Sequence, residues 1–508
     1  MLWVRSPLRV LLLGLLLGVL AQALFYNNPP GISVLIFVSL ALIGLLVLAR
    51  LEKVRLVVRN LWLVAPLIFF ASMVFIRANS LLAGLNLLTV ISLFCLFVFF
   101  MAADNLDRLG IFGYPIVFLL TLKEMVWKPV PLVVMVARST RQQRHKVRLA
   151  VPVVRGLVLA VPVLLVFTFL LSSADSIFGD YTRQFFELKF ISDLPEFVAR
   201  LVLALVAGWL MAGSLLLPLN RRRVPNAEYP PPQIPGKAKP RRSLGFVEAM
   251  TVLGLVNLLF LVFAWFQFNY LFSGNATGRL GYEAYRDYVR QGFGQLLLAS
   301  FLTLALITGL LWYTRRENPA QAKIFNLLCS LMIILAGVML VSAFWRMLAW
   351  ENVEIYINTP TRLYVRSFIL WLGLLFTWQF IALWTRPEKF AIGAFVAALG
   401  FLVTVNLANP DADVAQYNMV RYQASQNDLA YRYLYELSDD AVPALVENFD
   451  RSSGTVRQIL KDDLEYRLYR LEADKSWQHL PAFHLAHFKA YQLLDSLRKA
   501  GYISRNCC

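Results

Sequence analysis

Charge is the first thing this sequence is short of. Only 16% of its 508 residues are Asp, Glu, Lys or Arg, where a soluble chain of that length carries about a quarter. Cysteine is equally sparse. Cys95 and Cys329 lie inside apolar runs, and Cys507–Cys508 fits neither a metal spacing nor a prenylation box, which removes a disulfide framework and a cysteine zinc site. There is also no Gly-rich loop ahead of a Lys-Ser/Thr pair, no nucleophile elbow and no recognisably spaced pair of catalytic carboxylates. With those motifs missing no enzyme can be argued, and no cofactor and no metal is expected.

What is present is apolar length. The chain is 58% hydrophobic and 14% aromatic, and its runs are continuous and rich in Leu, Val and Phe. Backbone groups in lipid need internal partners, so a spanning chain is a helical bundle or a closed barrel. A barrel strand would alternate, and these runs do not. The expected fold class is therefore all-α: a polytopic transmembrane helical bundle of about eleven spans, with a small C-terminal helical domain outside the membrane.

The net charge of +18 resembles that of a nucleic-acid-binding protein, but its distribution argues against nucleic acid. Residues 409–508 carry 12 Lys/Arg and 14 Asp/Glu, leaving 37 and 17 for the first 408. The basic residues gather in loops between apolar runs, as the positive-inside bias requires. The partners expected are the lipid bilayer itself and, at the basic loops, anionic headgroups.

The first apolar run follows Arg5 and Arg9 and ends at Ala21-Gln22-Ala23. It reads as a retained first helix in preference to a cleaved signal peptide. Further spans are expected at about 32–49, 61–76, 81–102, 150–172, 195–218, 247–272, 291–314, 323–349, 363–384 and 389–408. With the N-terminus inside, the inner segments hold 26 Lys/Arg and the outer ones eight. An odd number of spans then sends the tail, 409–508, to the extracytoplasmic side of a bacterial inner membrane. Residues 110–136 are too short and too proline-broken to cross, so they are expected to lie in the inner interface or to form a re-entrant hairpin. The Pro-rich, basic segment 219–246 reads as a cytoplasmic linker within the 1–408 membrane domain.

The tail reads as helical. Ser438-Asp-Asp before Pro443 has the form of a helix start, with acids at the positive end of the dipole. Val456, Ile459, Leu460, Leu464, Leu468 and Leu471 make one apolar stripe, and Leu480, Phe483, Phe488, Tyr491 and Leu494 a second. His484 and His487 fall on the second stripe, with His479 upstream. Three or four convergent ligands would be needed for zinc, so a packed helix face is the expectation there.

Several short motifs occur in a fixed order. They include Arg77 with Leu85-Asn86-Leu87-Leu88, Arg155-Gly156 leading to Leu171-Ser-Ser-Ala-Asp175, Gln267-Phe-Asn-Tyr270, Tyr288-Val-Arg290-Gln-Gly292-Phe293, Asn409-Pro410-Asp411 with Asn418 and Arg421, and Leu437-Ser438 with Asp440 and Pro443. Together they resemble the bacterial polytopic membrane family catalogued as domain of unknown function forty-one seventy-three, related to forty-one fifty-three. The chain departs from the family's glycine-containing turn after Arg346, reading Tyr356-Ile-Asn-Thr359 instead. The resemblance implies a membrane protein and brings no activity with it.

On this topology the matched motifs mostly fall at or near the outer face. The candidate ligand site is thus a polar cluster where outer loops meet the tail, made of Asp175, Gln267, Arg290, Arg346, Arg362, Asp411 and Arg421. An arginine fork there would suit phosphate or carboxylate; the competing expectation is that the arginines pair with acids or pin helix ends at headgroup depth. Asn86, Asn257, Gln267 and Gln379 are expected to join helices by hydrogen bonds within the spans. The function expected is that of a non-enzymatic envelope or regulatory component, with a transporter or lipid-handling protein as the alternative.

Overall fold

The computed structural model describes residues 6–54, 57–102, 106–143, 194–221, 244–272, 282–351, 358–425 and 433–504. Among these, the chain is helical with no strand; one isolated bridge joins Leu244 to Thr314. Ten described helices are long and apolar enough to cross a membrane, and this is a multi-pass membrane protein. They coincide with ten of the expected spans; the eleventh, 150–172, lies outside the described residues.

The first group comprises α1 (Pro7–Phe25), α2 (Ile32–Leu51), α3 (Val64–Ile76, entered through the 3-10 turn Val58–Leu63), α4 (Ser80–Phe100), α5 (Gly113–Trp127), α6 (Pro129–Gln143) and α7 (Leu194–Arg221). Its core runs from Val10 through Phe70 and Phe97 to Leu217. Small residues set the closest approach, between α1 and α7: a Cβ on Gly18 would lie 2.2 Å from the Ala204 carbonyl oxygen, so only glycine allows this crossing. The second group comprises α8 (Phe246–Phe272), α9 (Tyr282–Tyr313), α10 (Pro319–Glu351), α11 (Pro360–Thr385) and α12 (Phe390–Ala408), around Phe325, Met332 and Phe376. α12 also packs Phe395, Leu399 and Leu402 onto the first core, which joins the groups.

The short helices α5 and α6 enter the bundle. The Trp209 indole, halfway along α7, donates to the Val126 carbonyl at 2.8 Å, and the α5 positions Val117, Thr121 and Met125 are buried. The turn between α5 and α6 carries a Lys128–Glu124 pair at 2.9 Å.

The tail packs as α13 (Pro410–Ser425), α14 (Val442–Arg451), α15 (Gly454–Ala473) and α16 (Leu485–Lys499) around Leu445, Phe449, Leu464, Ala490 and Leu494. The first expected stripe is the buried face of α15. The second is corrected in part: Leu480 sits in a 3-10 turn before α16 and is 69% exposed, because His479-Leu-Pro breaks the helical register there.

The loops fall into two sets at opposite ends of the bundle. Gly31, Ala78, Asn79, Asn358 and Asn409 all touch the tail. Arg59, Asp107, Gly110, Arg316, Arg386 and Glu388 line clefts at the other end.

Candidate functional site

Two helix ends meet the tail at one point, and each end leaves backbone groups that the helix cannot satisfy. α12 stops at Asn409, whose left-handed φ of 49° turns the chain into α13; asparagine tolerates that conformation better than most side chains. Its orphaned carbonyls are taken by Arg77, whose Nε donates to the Asn406 carbonyl at 2.7 Å and Nη2 to that of Leu407 at 3.4 Å. A cation there also complements the negative end of the helix dipole. The mirror arrangement holds at the start of α4. Asp440 Oδ2 accepts from the amides of Ala78 and Asn79 at 2.7 and 3.1 Å, while Asn79 caps α4 by accepting from Leu82. Arg77 and Asp440 stand 3.8 Å apart, closing the clamp.

Asp411, buried in the first turn of α13, binds both sides. Asn79 Nδ2 donates to its two oxygens at 3.2 and 3.0 Å, and the amide and hydroxyl of Ser438 donate from the tail. One turn deeper, Asn86 of α4 and Asn406 of α12 exchange two 2.8 Å amide bonds, both fully buried. Further out, Asn418 pairs its side-chain amide with the Asn358 backbone at 2.7 and 3.0 Å. Gly31 completes the seat: the Ile32 amide donates to the Phe483 carbonyl, and a Cβ on Gly31 would lie 2.7 Å from that same oxygen.

Behind this junction lies a second layer within the tail. Arg467 of α15 is buried and spends its fork on Asp463 at 2.8 Å, Asp439 at 3.2 Å and the carbonyls of Leu434, Leu437 and Ser438. Asp439 also accepts from Arg470 and from His487 Nδ1, the latter at 2.7 Å. Burial alone would raise the Asp439 carboxyl, but His487, Arg470 and Arg467 hold it below its ordinary value. Asp440 and Asp463 go the other way, since burial there outweighs Arg77 and Arg467 and raises both. His484 packs its ring 4.4 Å from that of His487. Burial, then the neighbouring His487, push it down to about 4.

Of the residues expected to form the outer cluster, the structure brings Asp411 into this junction. Among the described residues its partners are Asn79 and Ser438. Arg362 stands in the first turn of α11 on the same face, half-buried. Asp175 lies outside the described residues, as do the side chains of Gln267, Arg290, Arg346 and Arg421, whose backbones belong to α8, α9, α10 and α13. The residues missed as site members are Arg77, Asn79, Asp439, Asp440, Arg467 and His487. Arg77, Asn86, Asp411, Ser438 and Asp440 already stood in the ordered motifs, and their convergence here gives those motifs a common place. Among the described residues no group of three or more His, Cys, Asp or Glu is placed to hold a metal.

The opposite end of the bundle carries a cavity of about 340 Å³ between the start of α5 and the ends of α9, α11 and α12, lined in part by Thr308, Leu311, Trp312, Arg316, Gln379 and Glu388. Asn86 bonds to α12 and Asn257 donates to the Leu328 carbonyl at 3.1 Å, as expected of spanning amides. Gln379 does not join a neighbour; its Oε1 is buried without a partner, and so is the Thr308 hydroxyl.

The family described as Domain of unknown function (DUF4153) matches residues 64–448, and the chain belongs to it. No curated protein and no solved structure matches.

Proposed function

We propose that this member of the DUF4153 family is a non-enzymatic membrane component whose C-terminal helices are held on the bundle by a buried polar clamp. The observation that carries this reading is that the carboxylates of the junction are used up internally. Asp411, Asp439 and Asp440 each accept from two or more protein donors, and a catalytic acid or base needs an oxygen left for substrate. The clamp joins α4, α12 and the tail, so a change at the tail is transmitted to the ends of two spans. On this reading residues 1–408 form the membrane domain and 409–508 an extracytoplasmic domain of a bacterial inner-membrane protein, with the N-terminus in the cytoplasm. A kinship with the family numbered forty-one seventy-three is part of the same proposal. The charge bias of the loops supports the orientation.

The test is a pair of reporter fusions, after residue 445 and after residue 225. Periplasmic activity at 445 with cytoplasmic activity at 225 is expected; a cytoplasmic 445 would overturn the assignment.

A second reading, as a lipid-handling or transport protein, rests on a different observation: the cavity at the other end and its unpartnered Gln379.

A further inference from the structure

The tail is pinned to the bundle at the ends of the spans, and this fixes its depth. The Phe483 carbonyl accepts from the Ile32 amide, the first of the apolar helix α2, at 3.1 Å. Asp440 holds the Ala78 and Asn79 amides at the start of α4. Asn418 bonds the Asn358 backbone two residues before α11 begins, and Asn409 both ends α12 and precedes α13. The ends of apolar spans mark the edge of the hydrocarbon layer. Contacts to several span ends therefore set the base of the tail at that edge.

Two large apolar side chains on that base are exposed. Leu480, at 69%, stands in the 3-10 turn that packs on the ends of α1 and α2. The turn is closed by the Phe483 amide donating to the Leu480 carbonyl, which keeps the two Cα atoms within about 7 Å. Val420, 57% exposed, lies two residues beyond Asn418 on α13, whose Val414, Ala415 and Met419 are buried in the tail core. The headgroup layer is roughly 5–7 Å deep on each side of the hydrocarbon. Each exposed residue is thus less than one turn of chain from a contact at its inner edge. Exposed apolar residues scattered over a surface need no explanation. These two differ by their depth, because a bilayer touching the adjoining spans reaches them.

We propose that the Leu480 turn and the end of α13 lie in the phospholipid headgroup layer of the leaflet on the tail's side, with Leu480 and Val420 packed against lipid. The occupant is a lipid surface and not a second protein, since a protein partner would have to displace the headgroups that adjoin Ile32 and Asn358. Burial of the two side chains adds to the polar clamp an apolar hold that needs a lipid surface. This inference rests on the tail being held on the bundle, and not on which side of the membrane the tail faces.

The experiment uses the full chain in nanodiscs of phosphatidylethanolamine and phosphatidylglycerol. The photo-crosslinking residue benzoylphenylalanine is placed at Leu480, at Val420 or, as a control, at Tyr466, which is 53% exposed on the face of α15 turned away from the tail core. After irradiation, tail peptides are searched for lipid adducts by mass spectrometry. Adducts are expected at 480 and 420 and not at 466. The unmodified chain, irradiated with a phosphatidylethanolamine carrying a diazirine beside its head, keeps the test open should a variant misfold. Label is then expected on the peptides that hold residues 480 and 420. Hydrogen exchange of the Ile32 amide is read in parallel, since its bond to Phe483 protects it while the tail is seated. With Ile32 protected, lipid missing from 480 or from 420 in both arms, equal adducts at 466, or a crosslink from 480 to a second copy of the chain would each overturn the proposal and leave the clamp standing. Fast exchange of Ile32 in the unmodified chain would overturn the seat and the proposal together.

Discussion

The two ends of the bundle use buried polarity differently, although each keeps unpartnered atoms, Asn409 Oδ1 and His484 Nδ1 at the tail end among them. At the tail end the buried charges meet complementary partners: Arg467 saturates its fork, Asp439 takes Arg467, Arg470 and the His487 ring nitrogen, and Arg77 and Asp440 each complete a helix terminus. At the other end a glutamine and a threonine keep buried oxygens without partners, beside a cavity. A closed network fixes one arrangement and has nothing left to offer a ligand. An open one costs stability until something fills it. The difference is between a charged network that joins tail to bundle and a cavity with unpartnered polar atoms in its wall.

The largest effect that would break the comparison comes from Arg467→Met. It strands Asp439 and Asp463 with fewer donors, and breaking a buried pair from one side costs about 3–5 kcal/mol. Native-state hydrogen exchange over residues 434–503 should show the tail opening by that amount while α1 and α7 keep their protection. A smaller loss is expected from Asp440→Ala, which leaves the Ala78 and Asn79 amides unpaired at about 1–3 kcal/mol. Those two amides should exchange faster while the core of the tail stays protected, because the clamp fails and the domain does not.

Acid offers a third way to sharpen it. His484 has a folded value of about 4 against an ordinary 6.5, so the unfolded tail binds the proton first. Its contribution is present above pH 6.5 and is lost as pH falls towards 4, up to about 3 kcal/mol over that window. The raised carboxyls of Asp440 and Asp463 work in the opposite direction. The difference in tail stability between wild type and His484→Asn isolates the histidine, and it should change steadily between pH 7 and pH 5. At the open end the expectation reverses sign. Gln379→Leu in lipid-free detergent should leave bundle stability unchanged or slightly higher, because it deletes an unsatisfied group and keeps the volume.

Much of this was legible in the sequence. The ten described spans follow from apolar length, and the α15 face follows from Leu460, Leu464, Leu468 and Leu471 recurring at helical spacing. Asp411 was legible as a site residue because it stands beside the turn that ends the last span. Asp439 and Asp440 were not. In sequence they look like acids at a helix start, and Ser438 does cap the turn they occupy. Their partners lie 28 to 362 residues away, at Arg467, Arg470, His487, Ala78 and Asn79, and local spacing carries no trace of such pairings. Gln379 was misread for the same reason. A lone amide in a span looks like Asn86 until the facing helix proves to have nothing for it.

The most direct test of the clamp is a double-mutant cycle on a side-chain pair that crosses from bundle to tail helix, Asn79 and Asp411. Asn79→Ala, Asp411→Ala and the double variant would be compared by hydrogen exchange of the tail in the full chain. A coupling energy above about 0.5 kcal/mol is predicted, as for residues sharing one network. Effects that add to within about 0.3 kcal/mol would mean that the two residues act independently, and the buried clamp would not be what holds the tail in place.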